Sequence, residues 1–165
     1  MDSASIAPAL EKLQPERPLH FDDPAVARVQ GAIGKIWSGN RGLRTICLPR
    51  VPRLILNPRS AEYFERTRAE QFGMTLAEVE KSENAKGAWE AAGAGLQELK
   101  ALVKENGGGP FVLGEKVSYA DFVLVSFFVF LRRLGEDLFE RVMEVEEGFG
   151  ELFKACEKWI ERDDH

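Results

Sequence analysis

Apolar side chains recur along most of the chain at the three- and four-residue spacing of an α-helix. In the first segment, Ile6, Leu10 and Leu13 form one apolar stripe, which predicts a short helix over residues 3–14. The prolines that follow, beginning with Pro15, end this helix and predict an extended linker. Because the strict alternation of a half-buried strand is scarce, the pattern predicts an all-α chain.

Start signals divide the rest of the chain into further helices. Asp23 followed by Pro24 is typical of a helix start, since Asp favours the N-cap and Pro favours the first helical position. Ser60 is the predicted cap of a later helix, and Thr75 with Glu78 has the spacing of a capping box. The pattern predicts a bundle of about six to seven helices, at about 3–14, 24–38, 60–72, 75–105, 118–134, 136–145 and 149–162.

The predicted helix at about 118–134 is the most informative part of the pattern. Ser118 and Asp121 have the spacing of a capping box with Asp in place of Glu, and the residues from Phe122 to Leu131 are almost all apolar. A helix that is apolar on every face has to be buried, because this run is too short to span a bilayer. We therefore predict a central, buried helix here.

Two further features of the predicted helices concern packing. Gly31 and Gly34 each cost their helix about 1 kcal/mol relative to Ala, a cost that close packing against another helix or a ligand would explain. Trp89 and Trp159 lie on apolar stripes, so we predict both of them in the core.

Composition and charge exclude several classes of function. The 165 residues are typical of one domain, and their net charge of -5 argues against a nucleic-acid-binding surface. No apolar run approaches the roughly 20 residues of a membrane span, and the acidic start of the chain is unlike a secretory signal. We expect a cytoplasmic protein that binds neither nucleic acid nor membrane.

Cysteines and histidines are too few and too scattered for a metal site. Cys47 and Cys156 lie far apart, and the only histidines are His20 and the C-terminal His165. Because a structural or catalytic zinc needs three or four protein ligands, we expect no metal. Cys47 is expected to be an idle, buried thiol, the alternative being a nucleophile beside nearby arginines.

The order of these signals resembles the helical C-terminal domain of cytosolic glutathione S-transferases. Residues 110–122, Pro-Phe-Val-Leu-Gly-Glu-Lys-Val-Ser-Tyr-Ala-Asp-Phe, match closely, and Ser118 and Asp121 stand where that family has its capping box. The stretch Arg59–Arg68, with Gln71-Phe72-Gly73 after it, is similar to fungal members of the β-etherase type. The resemblance implies a helical domain over residues 22–163.

The N-terminus resembles the end of the family's thioredoxin-like domain. There an acidic-Ser pair holds the γ-glutamyl end of glutathione, and here Asp2-Ser3 matches it, with Ile6-Ala7 opening the last helix of that domain. Residues 1–15 are therefore expected to be a remnant of the domain. The family's glutathione-activating Tyr, Ser or Cys is expected to be missing, so we expect no cofactor, with glutathione bound only if the N-terminal domain is present.

The arginines are concentrated in one segment. Residues 41–68 contain seven arginines, no lysine and two glutamates, a net charge of +5, while the rest of the chain has 15 basic and 25 acidic residues, a net charge of -10. Arginine suits bidentate recognition of carboxylate or phosphate and stacking on flat rings. The segment is either a solvated loop that pairs with the acidic remainder or an anion- or enol-binding mouth beside an apolar pocket.

The resemblance implies that the first long helix supplies one wall of a hydrophobic substrate site. The candidate ligand-binding residues are Val29, Ile33, Trp37, Arg41, Arg44, Arg59 and Tyr63. Tyr63 and Arg66 lie three residues apart on a predicted helix, so both point the same way. Together they are candidate catalytic residues that would polarise a carbonyl or stabilise an enolate, unless Tyr63 is a packed aromatic beside a surface arginine.

Three functions are compatible with these features. The first is a stand-alone helical protein that binds a hydrophobic, anionic or carbonyl-bearing small molecule, as a glutathione-independent isomerase, dehydratase or cyclase of secondary metabolism. The second is a truncated fragment of a glutathione S-transferase, and the third is a non-catalytic protein-interaction module. The surface that the thioredoxin-like domain covers in the family would be bare here, which predicts a homodimer.

Overall fold

The computed structural model describes residues 3–161, with side chains from residue 6 onward, and this part of the chain is helical without a β-strand. The all-α prediction is confirmed. The elements are α1 (Ser3–Leu13), α2 (Pro24–Trp37), α3 (Arg44–Cys47), α4 (Val51–Leu54), α5 (Pro58–Phe72), α6 (Leu76–Lys81), α7 (Glu83–Lys86), α8 (Ala88–Lys104), α9 (Tyr119–Leu134), α10 (Glu136–Met143), α11 (Glu147–Ala155) and α12 (Glu157–Ile160).

Several predicted helix boundaries are corrected by side-chain caps. The helix predicted at 75–105 is three helices. Ser82 leaves the helical conformation, and its hydroxyl accepts a hydrogen bond from Ala85 N–H at 3.2 Å. A second break lies at Gly87, between α7 and α8. The helix predicted from Ser60 begins at Pro58, and Asn57 caps it by accepting from Ser60 N–H at 3.0 Å. The predicted capping box of Thr75 and Glu78 is present.

Three long helices, α2, α8 and α9, form the centre of the core. Ile36 of α2, Leu99 of α8, and Leu124, Phe128 and Leu131 of α9 are completely buried. Each such side chain stabilises the fold by roughly 1.5–3 kcal/mol relative to an exposed one. The predicted central helix is therefore confirmed, although its outer face is open, with Ser126, Arg132 and Arg133 exposed.

Asp121 fixes the start of α9. Its buried carboxylate accepts hydrogen bonds from the N–H and the hydroxyl of Ser118 and from Val112 N–H, each at 2.7 Å. The same carboxylate therefore caps the helix and holds the turn before it, in which Phe111 pairs with Gly114. Burial raises the pKa of Asp121, and the three donors oppose that shift.

The N-terminal helix is tied to the start of α9 through a linker. Glu11 of α1 accepts hydrogen bonds from the backbone N–H groups of Leu19 and His20 at 2.7 and 3.0 Å. The Leu19 carbonyl in turn accepts from Tyr119 N–H at 2.7 Å. Residues 6–20 therefore lie against the helical bundle. Three positions named in the sequence analysis lie outside the described residues: Asp2, the last residue of the predicted helix 149–162, and His165.

The two tryptophans predicted in the core have different environments. Trp89 packs partly buried against the core, with the Arg141 guanidinium 4.4 Å from its ring centroid. Trp159 is 41% exposed, so its prediction as a core residue is wrong. The physical reason is that Cys156 interrupts the last helix, and the short α12 lays Trp159 across the outer face of α9, 5.2 Å from the Phe122 ring.

The close helix contact in the fold lies at a different glycine from those expected. Gly31 and Gly34 are exposed and a Cβ at either would meet nothing within 4 Å, so the expectation that they pack against a helix is wrong for the described residues. At Gly95 of α8, a Cβ would lie 2.5 Å from the carbonyl oxygen of Ala32 in α2. The α2–α8 contact therefore depends on Gly95.

We predict opposite effects for two Gly→Ala substitutions. Gly95→Ala lowers the free energy of unfolding by about 1–3 kcal/mol, because backbone atoms of α2 must move away. Gly31→Ala raises it by up to about 1 kcal/mol, because Ala favours the helix and its Cβ enters open space. Urea denaturation measures both, and a stabilised Gly95→Ala variant would contradict the packing described here.

Among residues 3–161, the structure has no helix that is both long enough and apolar enough to cross a membrane.

Candidate functional site

An apolar pocket of about 320 Å³ lies where the end of α2 meets α5 and α9. Trp37 is the last residue of α2, Leu48 follows α3, and Phe130 lies on the open face of α9. Two arginines complete the lining, Arg44 at the start of α3 and Arg68 on α5. The pocket therefore combines an aromatic and aliphatic floor with two permanent positive charges.

Aromatic packing holds Trp37 in place. Its ring makes edge-to-face contacts with Phe127 and Phe130 of α9, both with centroids 5.8 Å apart. Contacts of this kind contribute about 0.5–1.5 kcal/mol each beyond their buried area. Since Phe127 is buried in the core, the orientation of Trp37 is set by the helix that Asp121 positions.

Neutral groups hold both pocket arginines. The Arg44 guanidinium lies 5.3 Å from the centroid of the Phe72 ring and donates a hydrogen bond to the side-chain oxygen of Gln71. The Arg68 guanidinium lies 4.6 Å from the centroid of the Phe64 ring and donates to the Thr67 hydroxyl at 3.4 Å. Within residues 3–161, neither arginine forms an ion pair with a carboxylate.

Other arginines of the same segment pair with acidic residues elsewhere in the chain. Arg50 binds Asp137 through two hydrogen bonds of 2.7 and 2.8 Å, and Arg53 binds Glu80 through bonds of 3.2 and 2.8 Å. Hydrogen bonds from the guanidinium groups lower the pKa of both carboxyls. Part of the arginine-rich segment thus pairs with the acidic remainder, while Arg44 and Arg68 retain uncompensated charge.

The structure distributes the predicted ligand-binding residues over several places. Trp37 and Arg44 line the pocket together. Val29 is completely buried in the core, and Ile33 is partly buried against it, so both support the helix and neither lines the pocket. Arg41 lines a separate cavity beside Glu83 and Glu90, and Arg59 is exposed on α5.

The predicted catalytic pair is adjacent but open to solvent. Arg66 lies with its guanidinium 5.4 Å from the centroid of the Tyr63 ring, and it also approaches Glu70 at 3.5 Å. Tyr63 is 64% exposed, and neither residue lines the pocket beside Trp37. The pair therefore stacks as cation on ring, and its catalytic role stays a prediction.

Three pocket residues escaped the sequence analysis. Leu48 is not named there, Phe130 enters only as part of the apolar run of α9, and Arg68 is counted in the arginine-rich segment without a role. For Arg68 a signal existed, because Phe64, Arg68 and Phe72 recur at four-residue spacing on one face of α5. No comparable signal marks Leu48 or Phe130, whose positions depend on how the helices pack.

A larger groove of about 830 Å³ runs between α9 and α12. Its walls include Phe122, Val129 and Trp159, and it contains both arginines of α9 and the acidic residues Glu157 and Glu161. Because charges of both signs line this groove, it lacks the excess positive charge of the pocket beside Trp37. The smaller pocket is therefore the better candidate for an anionic ligand.

The cysteines take no part in the candidate site. Burial raises the pKa of Cys47 to about 12 and that of Cys156 to about 11, so both thiols are protonated at neutral pH. Both side chains are buried, which agrees with the expectation of idle thiols. In the part of the chain that the structure describes, no group of His, Cys, Asp or Glu side chains has the arrangement of a metal site.

Comparisons with known proteins agree with this fold. Residues 31–159 match the family model of the glutathione S-transferase C-terminal domain. The chain is 33% identical to glutathione S-transferase-like protein ustS of Aspergillus flavus, over 98% of this chain and 61% of ustS.

Solved structures from fungi are similar over the whole described fold. The glutathione S-transferase CsGST63524 of Ceriporiopsis subvermispora, solved in complex with glutathione, has a TM-score of 0.78 at 31% identity, over 96% of this chain and 65% of that chain. GSTFuA2 from Phanerochaete chrysosporium has a TM-score of 0.73 at 29% identity, over 99% of this chain and 66% of that chain. The chain thus spans less than two thirds of ustS and of CsGST63524.

Proposed function

The chain belongs to the glutathione S-transferase C-terminal domain family, and from this we propose that it binds a hydrophobic small molecule in the pocket beside Trp37. The observation that carries the proposal is the combination of an apolar floor with Arg44 and Arg68, which form no ion pair with a carboxylate among the described side chains. Such a pocket suits a ligand with flat apolar rings and an anionic or carbonyl group.

We further propose that this small-molecule-binding chain is a biosynthetic enzyme of secondary metabolism and that it acts in the cytoplasm. Two guanidinium groups beside an apolar wall stabilise negative charge that develops on an oxygen of the ligand. Isomerisation, dehydration or cyclisation needs little beyond that charge and a fixed orientation. The complex with glutathione belongs to CsGST63524. Asp2 and the Ser3 side chain lie outside the described residues, and we propose a reaction that does not use glutathione.

A matched pair of substitutions tests the location of the ligand. With the neutral fluorescent probe N-phenyl-1-naphthylamine, Trp37→Ala raises the dissociation constant at least about tenfold, because the loss of an aromatic wall costs on the order of 1.4 kcal/mol. Trp159→Ala, which removes an aromatic side chain from the larger groove, leaves the dissociation constant unchanged. Fluorescence titration measures both, and circular dichroism establishes that each variant is folded.

The reverse result would refute the proposed site. If Trp159→Ala weakens the probe and Trp37→Ala does not, the ligand binds in the groove between α9 and α12. If Trp37→Ala fails to fold, Leu48→Ala is the alternative variant, because it removes a half-buried side chain from the same pocket. It is expected to lower the affinity for the probe.

Self-association is the second proposal for this chain, and the surroundings of α5 support it. This helix has no completely buried residue, and the large apolar side chains exposed around it are Leu54, Ile55, Tyr63 and Met74, each at least 40% exposed. Several exposed large apolar side chains on and around one helix are typical of an interaction site. We infer that a second copy of the chain covers it in a homodimer.

Sedimentation equilibrium at high micromolar concentration tests the homodimer. The wild-type chain is expected at twice the 18.5 kDa of one copy, and Leu54→Glu is expected to shift it to one copy by placing a charge in the interface. Leu13→Glu, at an equally apolar position that is 76% exposed on α1, serves as the control and leaves the dimer intact. A wild-type monomer would contradict the proposal.

A further inference from the structure

One face of α5 carries most of the contacts that orient the two pocket arginines, the exception being the hydrogen bond from Arg68 to Thr67. Phe64, Arg68, Gln71 and Phe72 recur at three- and four-residue spacing and therefore lie along one side of the helix. Phe64 and Arg68 contact each other, and Gln71 and Phe72 both contact Arg44. This side of α5 therefore faces Arg44 at the start of α3, whereas the helix packs mainly against its neighbours α4 and α6.

The kind of partner separates the pocket arginines from others in the chain. Arg28, Arg50 and Arg53 each contact a carboxylate at 2.7 or 2.8 Å. Arg44 has the amide of Gln71 at the position where a carboxylate of equal length would fit. An amide oxygen accepts the hydrogen bond and orients the guanidinium without pairing its charge. A glutamate would orient the guanidinium and also pair its charge.

We propose that the ligand is a ring-bearing anion, such as an aromatic carboxylate or an enolate, and that Gln71 is a positioning residue that holds Arg44 without pairing its charge with an anion. This inference rests on the proposed function, because it names the ligand class of the same pocket. A volume of about 320 Å³ lies at the lower end of ligand pockets and suits a compound of up to three rings. The planar guanidinium groups of Arg44 and Arg68 supply paired donors for the anionic oxygens.

The apolar floor and the two arginines together distinguish an anionic ring compound from a neutral one of the same shape. A neutral ring compound gains only the burial of its apolar surface, and it binds with or without the charge of Arg44. An anion of the same shape gains in addition the attraction of two guanidinium groups, which is stronger at a partly apolar surface than in bulk water. Glutamate at position 71 would form an ion pair with Arg44, which stays protonated, and the pair would have no net charge. Gln71→Glu should therefore weaken binding of the anion and leave binding of the neutral compound unchanged.

Two probes of the same ring system test this. Both 8-anilinonaphthalene-1-sulfonate and N-phenyl-1-naphthylamine carry a naphthalene and a phenyl ring, and only the first has a sulfonate. Gln71→Glu is expected to raise the dissociation constant of the anionic probe at least tenfold and to change that of the neutral probe less than twofold. Gln97→Glu, the same substitution at an exposed position of α8, is expected to change neither.

Further variants separate positioning from a merely structural role. Arg44→Ala is expected to lower the affinity for the anionic probe as Gln71→Glu does. Gln71→Asn keeps a neutral amide, so it is expected to retain part of the preference for the anionic probe. The affinity of wild type for the anionic probe should fall as sodium chloride increases, and Gln71→Glu should reduce that dependence.

Each outcome decides one claim. If the neutral probe binds wild type and Gln71→Glu leaves the ratio of the two affinities unchanged, the inference is wrong and the proposed function stands. If Gln71→Glu weakens both probes equally, Gln71 only holds α5 in place, and the inference is again overturned. If wild type binds neither probe, the proposed function itself fails.

Discussion

The buried carboxylate of Asp121 is the interaction on which the rest of the structure depends. It accepts three hydrogen bonds and so fixes both the first turn of α9 and the turn before it. The residue at which α9 begins sets which of its side chains face α2. In this structure Phe127 and Phe130 of α9 lie against Trp37. Because removing a buried partner leaves backbone donors unsatisfied, such a carboxylate is expensive to replace. The candidate pocket is therefore a consequence of where the central helix begins.

The arginine-rich segment serves two purposes at once. Arg50 and Arg53 join the segment to the rest of the fold through Asp137 and Glu80, so they pair with part of the chain's excess acidic charge. Arg44 and Arg68 rest on aromatic rings and neutral acceptors, and in our proposal their charge serves the ligand of the pocket. The pairing interpretation holds for Arg50 and Arg53, and the recognition interpretation stays our proposal for Arg44 and Arg68. Surface ion pairs alone stabilise a fold little, which makes the unpaired arginines the more informative ones.

Features that depend on local sequence could be predicted, and features that depend on packing could not. The capping boxes at Thr75 and Ser118 follow from residues three positions apart, and both are present. The order of the long helices follows from apolar spacing. In contrast, Ser82 breaks a helix that periodicity predicts to continue, and only its cap reveals the break. The core location of Trp159 failed for a similar reason, since it assumed one long terminal helix.

The candidate site divides along the same line. Trp37 and Arg44 were identified because one ends an apolar stripe and the other lies in a charged segment. Phe130 and Leu48 could not be, because only the packing of α2 against α9 brings them beside Trp37. Val29 and Ile33 lie on the predicted wall helix, yet the tight α2–α8 contact at Gly95 leaves them facing the core. Apolar spacing in the sequence predicts which face of a helix is apolar. The helices that pack against that face decide whether it is buried in the core or open to a ligand.

Native mass spectrometry of the protein, purified without denaturation from its own cells, tests the central claim most directly. If uncompensated positive charge beside Trp37 selects the ligand, the wild-type chain will carry a small molecule that is released as an anion. The same chain with Arg44→Ala and Arg68→Ala will lack it. A wild-type chain without such a ligand, or a double variant that retains it, would contradict the claim.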